Sequence, residues 1–312
     1  MKKLILLFIA LLLCGCENYY NDIGNIAVVS MIAIDYKENN YTSYIKVLSS
    51  NKENEEMLYE ENCSNLNECF DNLNTKLTKR LYLTHMDLLV LSNNLNKENY
   101  NHILNFFMEQ KTSRNSFATI IVDKIDSTIL NSDTSDINNM LELSQTTNII
   151  SSKTTLSDII KDILNFQISY IPYIETKEKI AIKGYKTIYD ENKILTKNES
   201  IALNIIKNKI ENFTIIIDKE LYKLEECNTI NKIDNNSIKI NLYCKYHGNN
   251  KNETNKIETY LYNIIKSFIE NNNENYFYYL IYKYGKEHQT NIDYKIEVQI
   301  DYTETTGGEI FE

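Results

Sequence analysis

The sequence predicts an α+β protein, with mixed or antiparallel sheets flanked by helices and two to three sub-domains. Three observations predict it. Runs rich in β-branched residues open both halves of the chain, and apolar residues at helical spacing recur between them. The body that follows the first fifteen residues is nearly 300 residues long, more than one small core needs.

Asn25–Tyr36 and Tyr41–Ser49 are apolar, β-branched runs separated by Lys37-Glu38-Asn39-Asn40, the layout of a hairpin with a short polar turn. From Cys69 to Leu81 the residues Phe70, Leu73, Leu77 and Leu81 mark a helix, followed by a strand at Asp87–Leu91. Glu98–Met108 places Tyr100, Ile103, Leu104, Phe107 and Met108 on one helical stripe; Ser116–Val122 reads as a strand and Lys124–Leu130 as a short helix. Ser132–Asp136 is a polar break. Beyond it Asp136–Leu143 and Thr154–Leu164 read as helices, the second capped by Thr154. The single proline, Pro172, lies in an extended segment leading to the main boundary, placed between residues 178 and 179.

The second half begins with strands at Ile180–Ile188 and Lys193–Thr196 around an Asp190-Glu191-Asn192 turn, then a helix to about Ile210 capped by Asn198 or Ser200. Phe213–Ile217, Leu221–Glu225 and Ser237–His247 alternate as antiparallel strands do. Thr254–Glu270 carries a broad helical stripe of Ile257, Leu261, Ile264, Ile265, Phe268 and Ile269. The aromatic segment Tyr276–Tyr284 leads to Gly285, and Ile292–Tyr302 is a closing strand by strict alternation.

The first sixteen residues have a separate logic. Lys2 and Lys3 precede an apolar run, Leu4–Leu13, and then Cys14-Gly15-Cys16. That is the layout of a secretory leader, and the run is about half the ~20 apolar residues that span a bilayer. Leu13-Cys14-Gly15-Cys16 resembles a bacterial lipobox, which makes Cys16 the expected lipidation site and first mature residue. Residues 1–15 are then the leader, 16–178 an N-terminal α+β region with a break near 132–136, and 179–312 a C-terminal domain.

The formal net charge of −10 disfavours nucleic acid and anionic lipid surfaces. Abundant Asn, Lys, Ile and Tyr with no Trp look like the codon bias of an AT-rich genome. In an exported chain Cys63 with Cys69 and Cys227 with Cys244 are candidate disulfides; as free thiols they would serve as small buried hydrophobes. No C-x-x-C, G-x-S-x-G, H-E-x-x-H or glycine-rich phosphate loop occurs in the body, and His85, His102, His247 and His288 are not at ligand spacing. Neither a catalytic residue, a metal ligand nor a cofactor site is predicted. The pairs Glu55-Glu56 and Glu225-Glu226 read as solvated residues.

Several segments together resemble the C subunit of spore germinant receptors, the GerC-type lipoprotein family. They are the lipobox cysteine Cys16, the opening strand Asp22–Asp35, and Lys79–Leu91, which is similar to the family's R-x-L-Y-x-x-H followed by an apolar strand. Ile182-Lys183-Gly184-Tyr185 is similar to the start of the family's C-terminal domain, and the long helix from Thr254, Gly285 and the strand Tyr294–Tyr302 complete the order. Ala33 stands where the family has glycine, and the Trp-bearing stretch before the final strand is nearly absent. The resemblance implies a non-enzymatic subunit without cofactor, lipid-anchored on the outer face of the inner spore membrane. It also implies A-type and B-type membrane subunits as partners. The competing reading is a lipid-anchored solute-binding protein of a transporter, which commonly has two α/β lobes with parallel sheets around a cleft.

Overall fold

The hairpin that opens the sequence becomes the centre of a large sheet. A computed structural model describes residues 25–49, 56–110, 114–145, 150, 154–166, 168–177, 179–188, 192–234, 237–248, 250–271 and 293–304. Strands β1 (Ile26–Lys37) and β2 (Asn40–Leu48) pair antiparallel, with Tyr36 opposite Tyr41. Glu38 and Asn39 both take positive φ, 51° and 65°, as a primed two-residue hairpin turn requires.

The sheet grows outward from β1 on both sides. On one side β3 (Glu56–Cys63) pairs antiparallel with β2. This strand is absent from the sequence reading, because its glutamates break the apolar alternation of an edge strand that is wet on both faces. On the other side α1 (Leu66–Leu77) leads to β4 (Arg80–Tyr82) and β5 (Leu88–Ser92), which pair in parallel with successive stretches of β1. Helix α2 (Lys97–Glu109) crosses to β6 (Ala118–Val122); α3 (Ser127–Leu130), α4 (Thr134–Gln145) and α5 (Leu156–Phe166) cross to β7 (Ser169–Glu175). Both new pairings are parallel, and β8 (Ala181–Ile188) closes the edge antiparallel to β7. The order is β3-β2-β1-β5-β6-β7-β8, with β4 on β1. Pro172 lies just before β7 joins β6 at Tyr173, so its missing N–H removes no bond from that ladder.

Helix α6 (Lys197–Ile206) starts the C-terminal part, in which β9 (Phe213–Ile217), β10 (Glu220–Asp234), β11 (Ser237–Gly248) and β12 (Asp293–Glu304) form a second sheet, ordered β12-β11-β10-β9. Helix α7 (Glu253–Asn271) links β11 to its parallel neighbour β12. With seven helices and two mixed sheets among the described residues, the α+β expectation holds. The boundary placed after residue 178 falls between β7 and β8, two strands of one sheet.

Alternating side chains of the large sheet feed two apolar layers. Ile32, Ile34, Leu89, Leu91 and Ile171 meet α1, α2 and α5 on one face. Met31, Val90, Ile120, Val122 and Ile174 meet α3 and α4 on the other, and this second core continues through α6 into the C-terminal sheet and α7. Burial on both faces explains why β5 and β6 read as nearly unbroken apolar runs.

Two helix starts differ from the expected ones. The cap of α5 is made by Thr155, whose Oγ1 accepts the Asp158 N–H while the Asp158 carboxylate accepts from Thr155 N–H, so Thr154 is one residue early. The cap of α6 is Thr196, in a reciprocal box with Glu199, rather than Asn198 or Ser200. Lys193–Thr196 forms a single bridge, Lys186 to Ile194, in place of a strand. The aromatic segment Tyr276–Tyr284, Gly285 and His288 lie outside the described residues.

Both cysteine pairs are joined. Cys63–Cys69 closes the entry to α1, with Cα atoms 5.4 Å apart. Cys227–Cys244 ties β10 to β11 beside the bulge between Glu225 and Asn228, with Cα atoms 4.1 Å apart. Replacing Cys227 and Cys244 together by Ala is expected to lower the unfolding free energy by about 3 kcal/mol, since the bond closes a loop of 17 residues. Guanidinium midpoints of the two chains measure this; equal midpoints would show that the bond adds nothing.

Candidate functional site

An open cavity among the described residues sits where α1 begins beside α2. The segment Ser64–Asn67, inside the loop closed by Cys63 and Cys69, forms one wall. His102, Asn105, Phe106 and Glu109 of α2 form the other, with Tyr41 of β2 between them and a volume of about 310 Å³. Both walls are fixed by local sequence. Asn65 caps α1 by accepting the Glu68 N–H, and the Glu68 carboxylate accepts from the Ser64 N–H and hydroxyl. Asn96 caps α2 in a reciprocal box with Asn99.

That second box orients the polar side chains of the groove. Asn99 is buried, and its Oδ1 accepts the Asn96 N–H, so its Nδ2 is the end that donates to the Tyr41 hydroxyl, 3.3 Å away. The Tyr41 hydroxyl is in turn hydrogen-bonded to His102 Nδ1 at 3.1 Å. The contacts link Asn99, Tyr41 and His102 into one hydrogen-bonded row along the groove. Burial holds the Tyr41 phenol above its ordinary value, so it stays a proton donor at neutral pH.

A second polar cluster lies at the carboxyl ends of the parallel strands. Buried Lys186 donates to Asn93 Oδ1 at 2.6 Å and to the Asn93 carbonyl at 3.3 Å. Burial pushes its amine down to about 8. Nearby, Asp35 receives Lys37 at 2.6 Å and the Asn94 amide at 3.5 Å. These groups satisfy one another and join β1, β5 and β8, which is a structural task.

The residues that sequence reasoning singled out lie apart. Cys16 is outside the described residues. His85 is exposed in the turn between β4 and β5, with its ring 5.8 Å from that of Tyr82. The rest of Lys79–Leu91 is largely core: Leu81, Leu83, Met86 and Leu88–Leu91 are buried, as the helix-to-strand reading implies. His247 faces Glu225 at 3.5 Å on the outer face of the second sheet, and Glu225 and Glu226 pair with Lys223 and Lys245. Glu56, read as solvated, instead accepts from Lys46 Nζ at 3.0 Å and from the Thr134 hydroxyl at 3.0 Å. The chain fold that brings Ser132 and Thr134 over the end of β3 makes this pair, and no local pattern announces it.

Tyr41, His102 and Glu109 were not picked out from the sequence as a site. The available signal was the spacing Asn96…Asn99, a capping pair whose second member is too polar for the helix face it sits on.

Comparisons place this architecture. A family model described as "Spore germination protein N-terminal domain" matches residues 19–176, just over half of the chain. Among solved structures, the crystal structure of the GerBC protein is similar with a TM-score of 0.50 and 13% sequence identity, covering 87% of this chain and 96% of that one. At that identity the likeness speaks for the fold. No curated protein matches the chain. The family match runs unbroken from before β1 to the end of β7, and the order of segments read from the sequence agrees with it. The chain belongs to the family of spore germination proteins that carry this N-terminal domain.

Proposed function

We propose that this chain is the lipid-anchored C subunit of a spore nutrient germinant receptor. It acts with A-type and B-type membrane subunits on the outer face of the inner spore membrane to trigger germination. The observation that carries the reading is the family match over residues 19–176, beginning three residues after a cysteine in a lipobox-like setting. Acyl chains on Cys16 would hold the protein, each buried methylene adding ~0.8 kcal/mol, with more than one chain needed for stable anchoring. Ten residues from Cys16 to Ile26 reach at most about 36 Å, so β1 would enter the large sheet close to the lipid surface. The subunit works by contact with its neighbours, without a catalytic step.

The test is a Cys16→Ala chain in spores that carry no other receptor. Nutrient-triggered germination is expected to fall to the level of a deletion strain, with the protein lost from the membrane fraction. Unchanged germination with the protein still in the membrane would overturn the reading.

A further inference from the structure

We infer that the groove between α1 and α2 is a binding site for a small molecule bearing a protonated amine. This goes beyond the receptor reading and does not depend on how the chain is anchored or assembled. The cavity of about 310 Å³ lies at the low end of the ~300–1,000 Å³ range of ligand clefts, which suits a compact ligand.

The lining selects the charge. Among the described residues no lysine or arginine lines the groove, and the one formal charge in its lining is the Glu109 carboxylate. Glu109 is the last residue of α2, whose final turn holds no basic side chain, so the carbonyl end of the helix adds to the negative potential there. The net charge of −10 acts against anions over the whole surface. An ammonium group therefore finds a carboxylate and helix carbonyls, while a carboxylate ligand finds repulsion.

The rest of the lining serves the uncharged part. Leu66, Phe106 and the ring of Tyr41 are buried and present apolar surface. His102, held by Tyr41 through Nδ1, offers its other ring nitrogen, and Asn65, Asn67 and Asn105 offer carboxamides. The ligand class is thus a compact amine with an apolar body and a hydrogen-bonding group, for which tyramine is a suitable probe. The Cys63–Cys69 bond fixes the wall opposite α2 before any ligand arrives, which reduces the entropic cost of binding.

Calorimetric titration of the purified full chain tests this with three probes: tyramine, its neutral N-acetyl derivative, and 3-(4-hydroxyphenyl)propionate. Tyramine is expected to bind about tenfold more tightly than either analogue, the contribution of one charge-assisted hydrogen bond. Glu109→Gln is expected to reduce tyramine to the level of the neutral analogue. Asn105→Lys, at an exposed position that leaves the thermal unfolding unchanged, is expected to abolish tyramine binding and favour the propionate. Equal affinity for the three probes, no binding of any, or tyramine binding indifferent to Glu109→Gln would each overturn the site.

Discussion

Replacing Gly184 by Ala is expected to destabilise the protein by about 3 kcal/mol or more. Gly184 has φ +140°, a region that side chains with a Cβ rarely adopt, at an estimated cost of about 1–3 kcal/mol. The space is also taken. A Cβ at this position would lie 2.4 Å from Ser200 Oγ and 3.0 Å from the Leu195 carbonyl oxygen. The serine cannot simply turn away, because it is fully buried and its Oγ accepts the Tyr185 N–H at 3.3 Å. Overpacking of this kind costs a further ~1–3 kcal/mol. Urea unfolding of the variant measures the loss, and Gly184→Ala combined with Ser200→Gly should recover only the steric part. A midpoint within error of the parent would show that the bulge at β7–β8 relaxes freely. Gly184 belongs to the Ile182-Lys183-Gly184-Tyr185 segment that carried part of the family resemblance, and this contact with α6 supplies the physical reason for a glycine there.

The second large effect concerns Glu56. Its carboxylate and the Lys46 ammonium are both mostly hidden, with side-chain exposures of 14% and 5%, and the ammonium also donates to the Ser132 carbonyl. Removing one partner of such a pair leaves the other charge uncompensated, so Glu56→Gln is expected to cost about 3 kcal/mol. The double change Lys46→Met with Glu56→Leu should recover much of it, since apolar side chains of similar size carry no desolvation penalty. A double variant as unstable as the single one would show that the loss is packing and not charge. The pH dependence has a definite sign. Burial raises the Glu56 carboxyl, but the hydrogen bonds from Ser30, Lys46 and Thr134 outweigh it and hold the group below the usual carboxylate range. Its contribution is therefore complete above the unfolded glutamate value of about 4.3 and is lost as pH falls through the lower folded value. The gap between parent and Glu56→Gln should narrow as the solution is acidified below about pH 4.

Elements whose cause is local were legible in the sequence. The opening hairpin announced itself because two β-branched runs flank a turn that accepts positive φ, and α7 because its stripe is buried from Ile257 to Ile269. β3 was hidden because its glutamates interrupt the apolar alternation, and the group that receives Glu56, the loop at Ser132 and Thr134, lies far from it in the chain. The extension of β10 through Asp234 was hidden for a related reason: the bulge at Glu225–Asn228 shifts the alternation by one residue, so each half looks like a separate pattern. The helix caps were misplaced by a few residues because Thr154, Thr155, Thr196, Asn198 and Ser200 all have capping side chains, and the winner is decided by which acid three positions on can reciprocate. The groove was the least legible feature. It needs Tyr41 from one strand and His102 from a helix that starts after three more strands, and only the fold makes them neighbours.

The strand order carries a consequence for biosynthesis. After the hairpin, each later strand of the large sheet joins a border that is still vacant: β5 on β1, β6 on β5, β7 on β6, β8 on β7. A polypeptide emerging from its amino end during synthesis could therefore build outward without prying apart anything already formed. The same order leaves a bare apolar rim facing water at every intermediate length, so a pause midway in synthesis is when such a chain would be most prone to clump.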